Sequence, residues 1–149
     1  MKIVTIIIIV AIFILEYIML SITPIYLAIA ILIYSILAFT IISNRRSQKI
    51  SIGDGGHSEL ARRIRSHGNF AEYVPLAMIA LGTAEVMGVS PQILHFCGAA
   101  LVLDRCLHAF YFLVSPNIMK IRVAGMMFTF LAMWGASGMA LWRVLIKTL

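Results

Sequence analysis

Hydrophobic positions along the chain gather into five long runs, at residues 3–20, 23–43, 70–88, 92–114 and 121–146. Each approaches or exceeds the roughly 20 residues that a helix needs to cross a bilayer core. The second run opens on Thr23-Pro24 and the fourth on Ser90-Pro91, which predicts an N-cap followed by proline at the first helical position. Gly88 and the Ser115-Pro116-Asn117 cluster punctuate other ends. Only one connection, residues 44–69, is long. The pattern predicts an all-α transmembrane helix bundle.

Composition agrees. The 149 residues are 62% hydrophobic and 12% charged, against about half and a quarter in soluble domains. Six of the twelve Lys and Arg residues stand in the 44–69 connection: Arg45, Arg46, Lys49, Arg62, Arg63 and Arg65. The positive-inside rule places this loop in the cytoplasm. The 115–122 connection, with Lys120 and Arg122, falls on the same side, and residues 88–91, free of Lys and Arg, on the other. No basic and aromatic groove pattern points to a nucleic-acid partner.

Several segments read simply. Gly53-Asp54-Gly55-Gly56 follows no strand and leads into no GxxxxGK[ST] pattern, so a plain turn is expected. Cys97 and Cys106 lie roughly 13 Å apart along one helix, too far to pair there, and buried packing is expected of them. No zinc or haem spacing occurs, so no metal is expected. The first run, with Lys2 before it and no small-residue cleavage site after it, reads as an uncleaved span or an interfacial segment. Initiation at Met19 is a third reading.

The apolar runs carry polar residues at helical spacing. Arg65, Asn69 and Glu72 stand at i, i+4 and i+7, which puts a cation, an amide and a carboxylate on one helix face. Tyr73 follows them, and Pro75 lies within the same run. In the fourth run Asp104, His108, Tyr111 and Ser115 form a stripe beside Arg105. An Asp or Arg at the bilayer centre costs about 2.5–3.5 kcal/mol, so such a stripe faces a bundle interior or a wet cavity. These groups could simply neutralise one another and hold helices together. Their nearness to Arg62, Arg63, Arg65 and Arg122 instead suits a pocket for a small zwitterion with more acid than amine groups.

With these residues in place the chain resembles the MAPEG family, the membrane-associated proteins in eicosanoid and glutathione metabolism, and its bacterial branch most of all. Arg65-xxx-Asn69-xx-Glu72-xx-Pro75 matches the helix II signature, and Arg105-xx-His108-Ala followed by Arg122-xx-Gly125 is similar to the third helix and the start of the fourth. The resemblance implies a four-helix domain over residues 22–149, preceded by an extra N-terminal hydrophobic segment at 1–21. It also implies a homotrimer in the bacterial inner membrane, with glutathione as co-substrate between subunits near the cytoplasmic face and a lipophilic partner arriving from the membrane lipids.

Carried over by position, Arg65, Asn69, Glu72 and Tyr73 would hold the tripeptide from one side. Arg105 and His108 would line it from the third helix, with Tyr111 a further contact. Arg122 would stand by the thiol as the catalytic residue. Several characterised members carry tyrosine where this chain has Phe112. The activity implied is that of a glutathione transferase or peroxidase in detoxification, acting on lipophilic electrophiles or hydroperoxides. The alternative is a non-catalytic lipid-binding or scaffold protein of the same fold. A transporter or channel is permitted by composition and disfavoured by the motif.

Overall fold

A computed structural model describes residues 5, 7, 20–113 and 119–148, with backbone alone at 119, 121 and 122. Four helices follow in order: α1 (Thr23–Gln48), α2 (Ser58–Val86), α3 (Pro91–Leu113) and α4 (Met119–Thr148). No strand occurs among the described residues, and the architecture is the expected all-α bundle. Among them α1, α3 and residues Val123–Thr148 of α4 are long and apolar enough to cross a membrane. The extra hydrophobic segment at 1–21 falls outside the described residues except at Thr5, Ile7, Leu20 and Ser21.

The 44–69 connection is much shorter than its charge pattern suggested. α1 runs on to Gln48 and α2 already begins at Ser58. Arginines are good helix formers, so the hydrophobic runs ended before the helices did. Arg45 and Arg46 occupy the last turn of α1, where cations meet the negative end of the helix dipole. Glu59 sits in the first turn of α2 and takes the Arg63 guanidinium at 2.5 Å, one turn on. That hydrogen bond and charge hold its carboxyl below the usual carboxylate range. Between the helices the expected turn forms: Asp54 accepts the Gly56 N–H on Oδ1 and the His57 N–H on its carbonyl, both at 3.0 Å. Gly55, at φ +57°, faces the Ile50 side chain so closely that a Cβ would collide with it.

α1 starts by a different device from the one predicted. Ile22, not Thr23, is the N-cap, and Pro24 follows one position inside. No local side chain caps the helix. Instead Glu85, from the far end of α2, accepts the backbone N–H groups of Ser21 and Ile22 at 2.6 Å and of Thr23 at 2.7 Å. A carboxylate there satisfies orphan donors and the positive end of the dipole together. At α3 the prediction holds more simply, with the Ser90 carbonyl accepting from Ile93 and Leu94 and Pro91 opening the helix.

The core runs along the inner faces of all four helices, through Leu37, Val74, Leu81, Leu94 and Leu101. α4 enters it on a stripe of small residues, Gly125, Thr129, Ala132, Ala136 and Ala140, all buried. Small residues let helix backbones approach where lipid offers no hydrophobic drive. α3 uses Gly98 in the same way, because a Cβ there would overlap the Tyr26 ring of α1. Cys97 is buried as expected, whereas Cys106 is exposed.

Candidate functional site

The polar residues of α2 and α3 divide into a buried set and an exposed set. At the centre of the buried set is Asp104, fully enclosed, with Arg105 and His108 almost as deep. Asp104 Oδ2 accepts from Arg105 Nε and from the Thr129 hydroxyl. Its Oδ1 takes His108 Nδ1 at 2.7 Å, one turn along α3. Because a carboxylate only accepts, Nδ1 carries the proton. The Nε2 of the same ring is buried and has no hydrogen-bond partner among the described residues.

Arg105 spreads its guanidinium across two more helices. One terminal nitrogen donates to Asn69 Oδ1 at 3.0 Å and to the Asn69 carbonyl at 3.3 Å. The other donates to Thr129 Oγ1 at 2.6 Å. α2, α3 and α4 are thereby joined through one cation, with one carboxylate beside it. Gly125 makes the approach of α4 possible, since a Cβ there would stand 2.5 Å from His108 Nδ1 and 2.7 Å from Asp104 Oδ1.

The exposed set lies on the adjoining face of α2. Arg65 and Glu72, at side-chain exposures of 55% and 51%, pair with each other at 3.2 Å. Glu72 therefore faces Arg65 within this chain, while Asn69 between them turns inward to Arg105. Arg65 also lines a cleft of about 470 Å³ with Arg45 and Asp54. One turn on from Glu72, Leu76 enters an apolar groove of about 490 Å³ between α2 and α4, lined further by Ile79, Met133 and Trp134. Tyr73 packs edge-on against Phe130, which stacks on Trp134 at 5.1 Å.

The remaining predicted residues are placed unevenly. Tyr111 is buried, its ring 5.0 Å from that of Phe112. Arg122 lies in the first turns of α4, but its side chain is outside the described residues, as is Ser115. No group of His, Cys, Asp or Glu suited to a metal occurs among the described residues. Thr129 was not singled out from sequence. Its one legible trace is its place in the small-residue stripe with Gly125.

The MAPEG family model matches residues 23–142. The chain belongs to the MAPEG family. It is also 30% identical over 112 residues to the inner membrane protein YecN of Escherichia coli K12, covering 75% of this chain and 84% of that one. The same figures hold for YecN of Escherichia coli O6:H1 strain CFT073. No solved structure matches. As a MAPEG protein the chain is an integral membrane protein, and the match begins with the first residue of α1.

Proposed function

We propose that this MAPEG protein binds glutathione against the exposed face of α2 and activates its thiol for attack on lipophilic electrophiles or hydroperoxides. The observation that carries this reading is the half-exposed Arg65–Glu72 pair, set one turn from the apolar α2–α4 groove. Glutathione has two carboxylates and one ammonium. Arg65 suits a carboxylate through paired N–H donors, and Glu72 suits the ammonium. The neighbouring groove suits an apolar co-substrate.

Within this scheme Arg105 acts from behind. Its three nitrogens are engaged inside the protomer, so it positions Asn69 and α2 and does not touch the tripeptide. His108 and Tyr111, buried on α3, support the same wall. Tyr73 lies at the junction of the charged face and the groove. Arg122 is assigned to the thiol on family resemblance. A free thiol has a pKa near 8.5, and each unit of depression needs about 1.4 kcal/mol of preferential thiolate stabilisation, which a neighbouring guanidinium supplies. With an electrophilic alkene the thiolate forms an S–C bond as the C=C π bond opens, and the proton given up by the thiol returns from solvent to the neighbouring carbon. With a halide the S–C bond forms as the C–halogen bond breaks, and the halide and the thiol proton pass into water. With a hydroperoxide, two thiols are oxidised to a disulfide as the peroxide becomes alcohol and water.

Charged groups on an outer face at this depth are costly against lipid, so a second copy covers them, in a homotrimer of the bacterial inner membrane with the basic loop cytoplasmic. Phe112, standing where several characterised members have tyrosine, favours the second reading, a non-catalytic lipid-binding protein. Equilibrium binding separates the two. Glu72→Gln is expected to weaken glutathione about 10- to 100-fold, the loss of a hydrogen bond to a charged group, while an analogue lacking the α-amino group binds both forms equally. Equal affinity of both forms for glutathione itself overturns the assignment.

A further inference from the structure

A second feature lies on the opposite side of α2, along its seam with α1. Arg45 lines a cleft with Asp54 and Gly68, and Ala30, Tyr34, Ala71 and Val74 line an apolar groove of about 320 Å³. Gly68 lines the cleft and Ala71 the groove, neighbours on one face of α2. At the groove, the Tyr34 ring lies 4.5 Å from that of His67, an arrangement suited to the headgroup level of a bilayer.

Charge distinguishes the two parts. Residues 44–69 hold six basic side chains against two acidic ones, Asp54 and Glu59. Within the cleft, Asp54 already accepts the Gly56 N–H and Arg65 is shared with Glu72. Arg45 Nε is buried without a hydrogen-bond partner among the described residues, a donor left for an acceptor from outside them. The groove's run along α2, from Phe70 to Met78, covers about 12 Å at 1.5 Å per residue. That is close to the roughly 15 Å of one leaflet, half of a ~30 Å hydrocarbon core.

We infer that the α1–α2 seam binds one anionic glycerophospholipid from the leaflet beside the basic loop, its phosphate at Arg45 and an acyl chain along Ala71 and Val74. The inference does not depend on the glutathione reading, because Arg45, Ala71 and Val74 have no part in that site and the lipid is read by counting.

The test is native mass spectrometry of the full chain in mild detergent, titrated with phosphatidylglycerol or with phosphatidylcholine of the same acyl chains. One phosphatidylglycerol per chain is expected to survive, and phosphatidylcholine is not. Arg45→Gln should weaken retention about fivefold, the share of one cation at an anionic surface. Ala71→Trp, a change at an exposed position that fills the groove, should weaken it as well, whereas Arg46→Gln, on an exposed neighbour, should not. Circular dichroism establishes that each variant is folded. Equal retention of both lipids overturns the inference, and so do equal effects of Arg45→Gln and Arg46→Gln. Full displacement by inorganic phosphate with no effect of Ala71→Trp would reduce the site to a bare anion site. Efficient cross-linking between chains through Ala71→Cys would show a second copy on the seam instead.

Discussion

Replacing Thr129 with valine removes one hydroxyl from the buried network and keeps its shape. That hydroxyl donates to Asp104 and accepts from Arg105 at 2.6 Å, so both ions lose a partner in a site without water access. Hydrogen bonds between neutral groups of membrane helices average only about 0.6 kcal/mol, with a maximum near 1.7. Hydrogen bonds to charged groups are worth about 1.5–3 kcal/mol each, and stranded partners add to the loss. Thr129→Val is therefore expected to destabilise the bundle by about 2–4 kcal/mol. Thr129→Ser keeps the hydroxyl and loses one methyl, which costs about 1 kcal/mol. Reversible unfolding in mixed micelles titrated with dodecyl sulfate, followed by helicity, measures both. A valine variant within 0.6 kcal/mol of wild type, or more stable than the serine variant, would refute the argument that this network joins α2, α3 and α4.

Other consequences are local. Gly125→Ala should cost about 1–3 kcal/mol by overpacking, since its Cβ would displace the Asp104–His108 hydrogen bond; the same titration checks it. Gly98→Ala should destabilise to a similar extent by expelling the Tyr26 ring, and Gly98→Ala combined with Tyr26→Ala should recover part of the loss. Glu85→Gln should cost about 1–2 kcal/mol at the start of α1, seen as faster hydrogen exchange at the Ser21, Ile22 and Thr23 amides than in the rest of the helix.

Much of the bundle was legible because a membrane helix advertises itself by length and apolarity, and because Pro91 and Gly88 mark boundaries by backbone chemistry. What stayed hidden depended on helix register. Arg65, Asn69 and Glu72 share a face by spacing, yet that face straddles the edge of the core, so Asn69 goes inward and the two charges stay out. Asp104 and Arg105 are sequence neighbours on a helix, where adjacent side chains diverge, and only the long arginine side chain lets them meet. Thr129 and Glu85 act across 25 and more than 60 residues, and no local periodicity can report such pairings. The arginines at both ends of the basic loop concealed helical turns, because hydropathy marks the membrane and not the helix.

The central claim is that glutathione held at Arg65 and Glu72 is ionised at its sulfur. Ultraviolet difference absorbance of the detergent-solubilised protein with saturating glutathione at neutral pH reads the thiolate directly. A thiolate band is expected in the wild type, lost in Arg122→Ala and reached only at higher glutathione in Glu72→Gln. Absence of the band in wild-type protein saturated with glutathione would contradict the account.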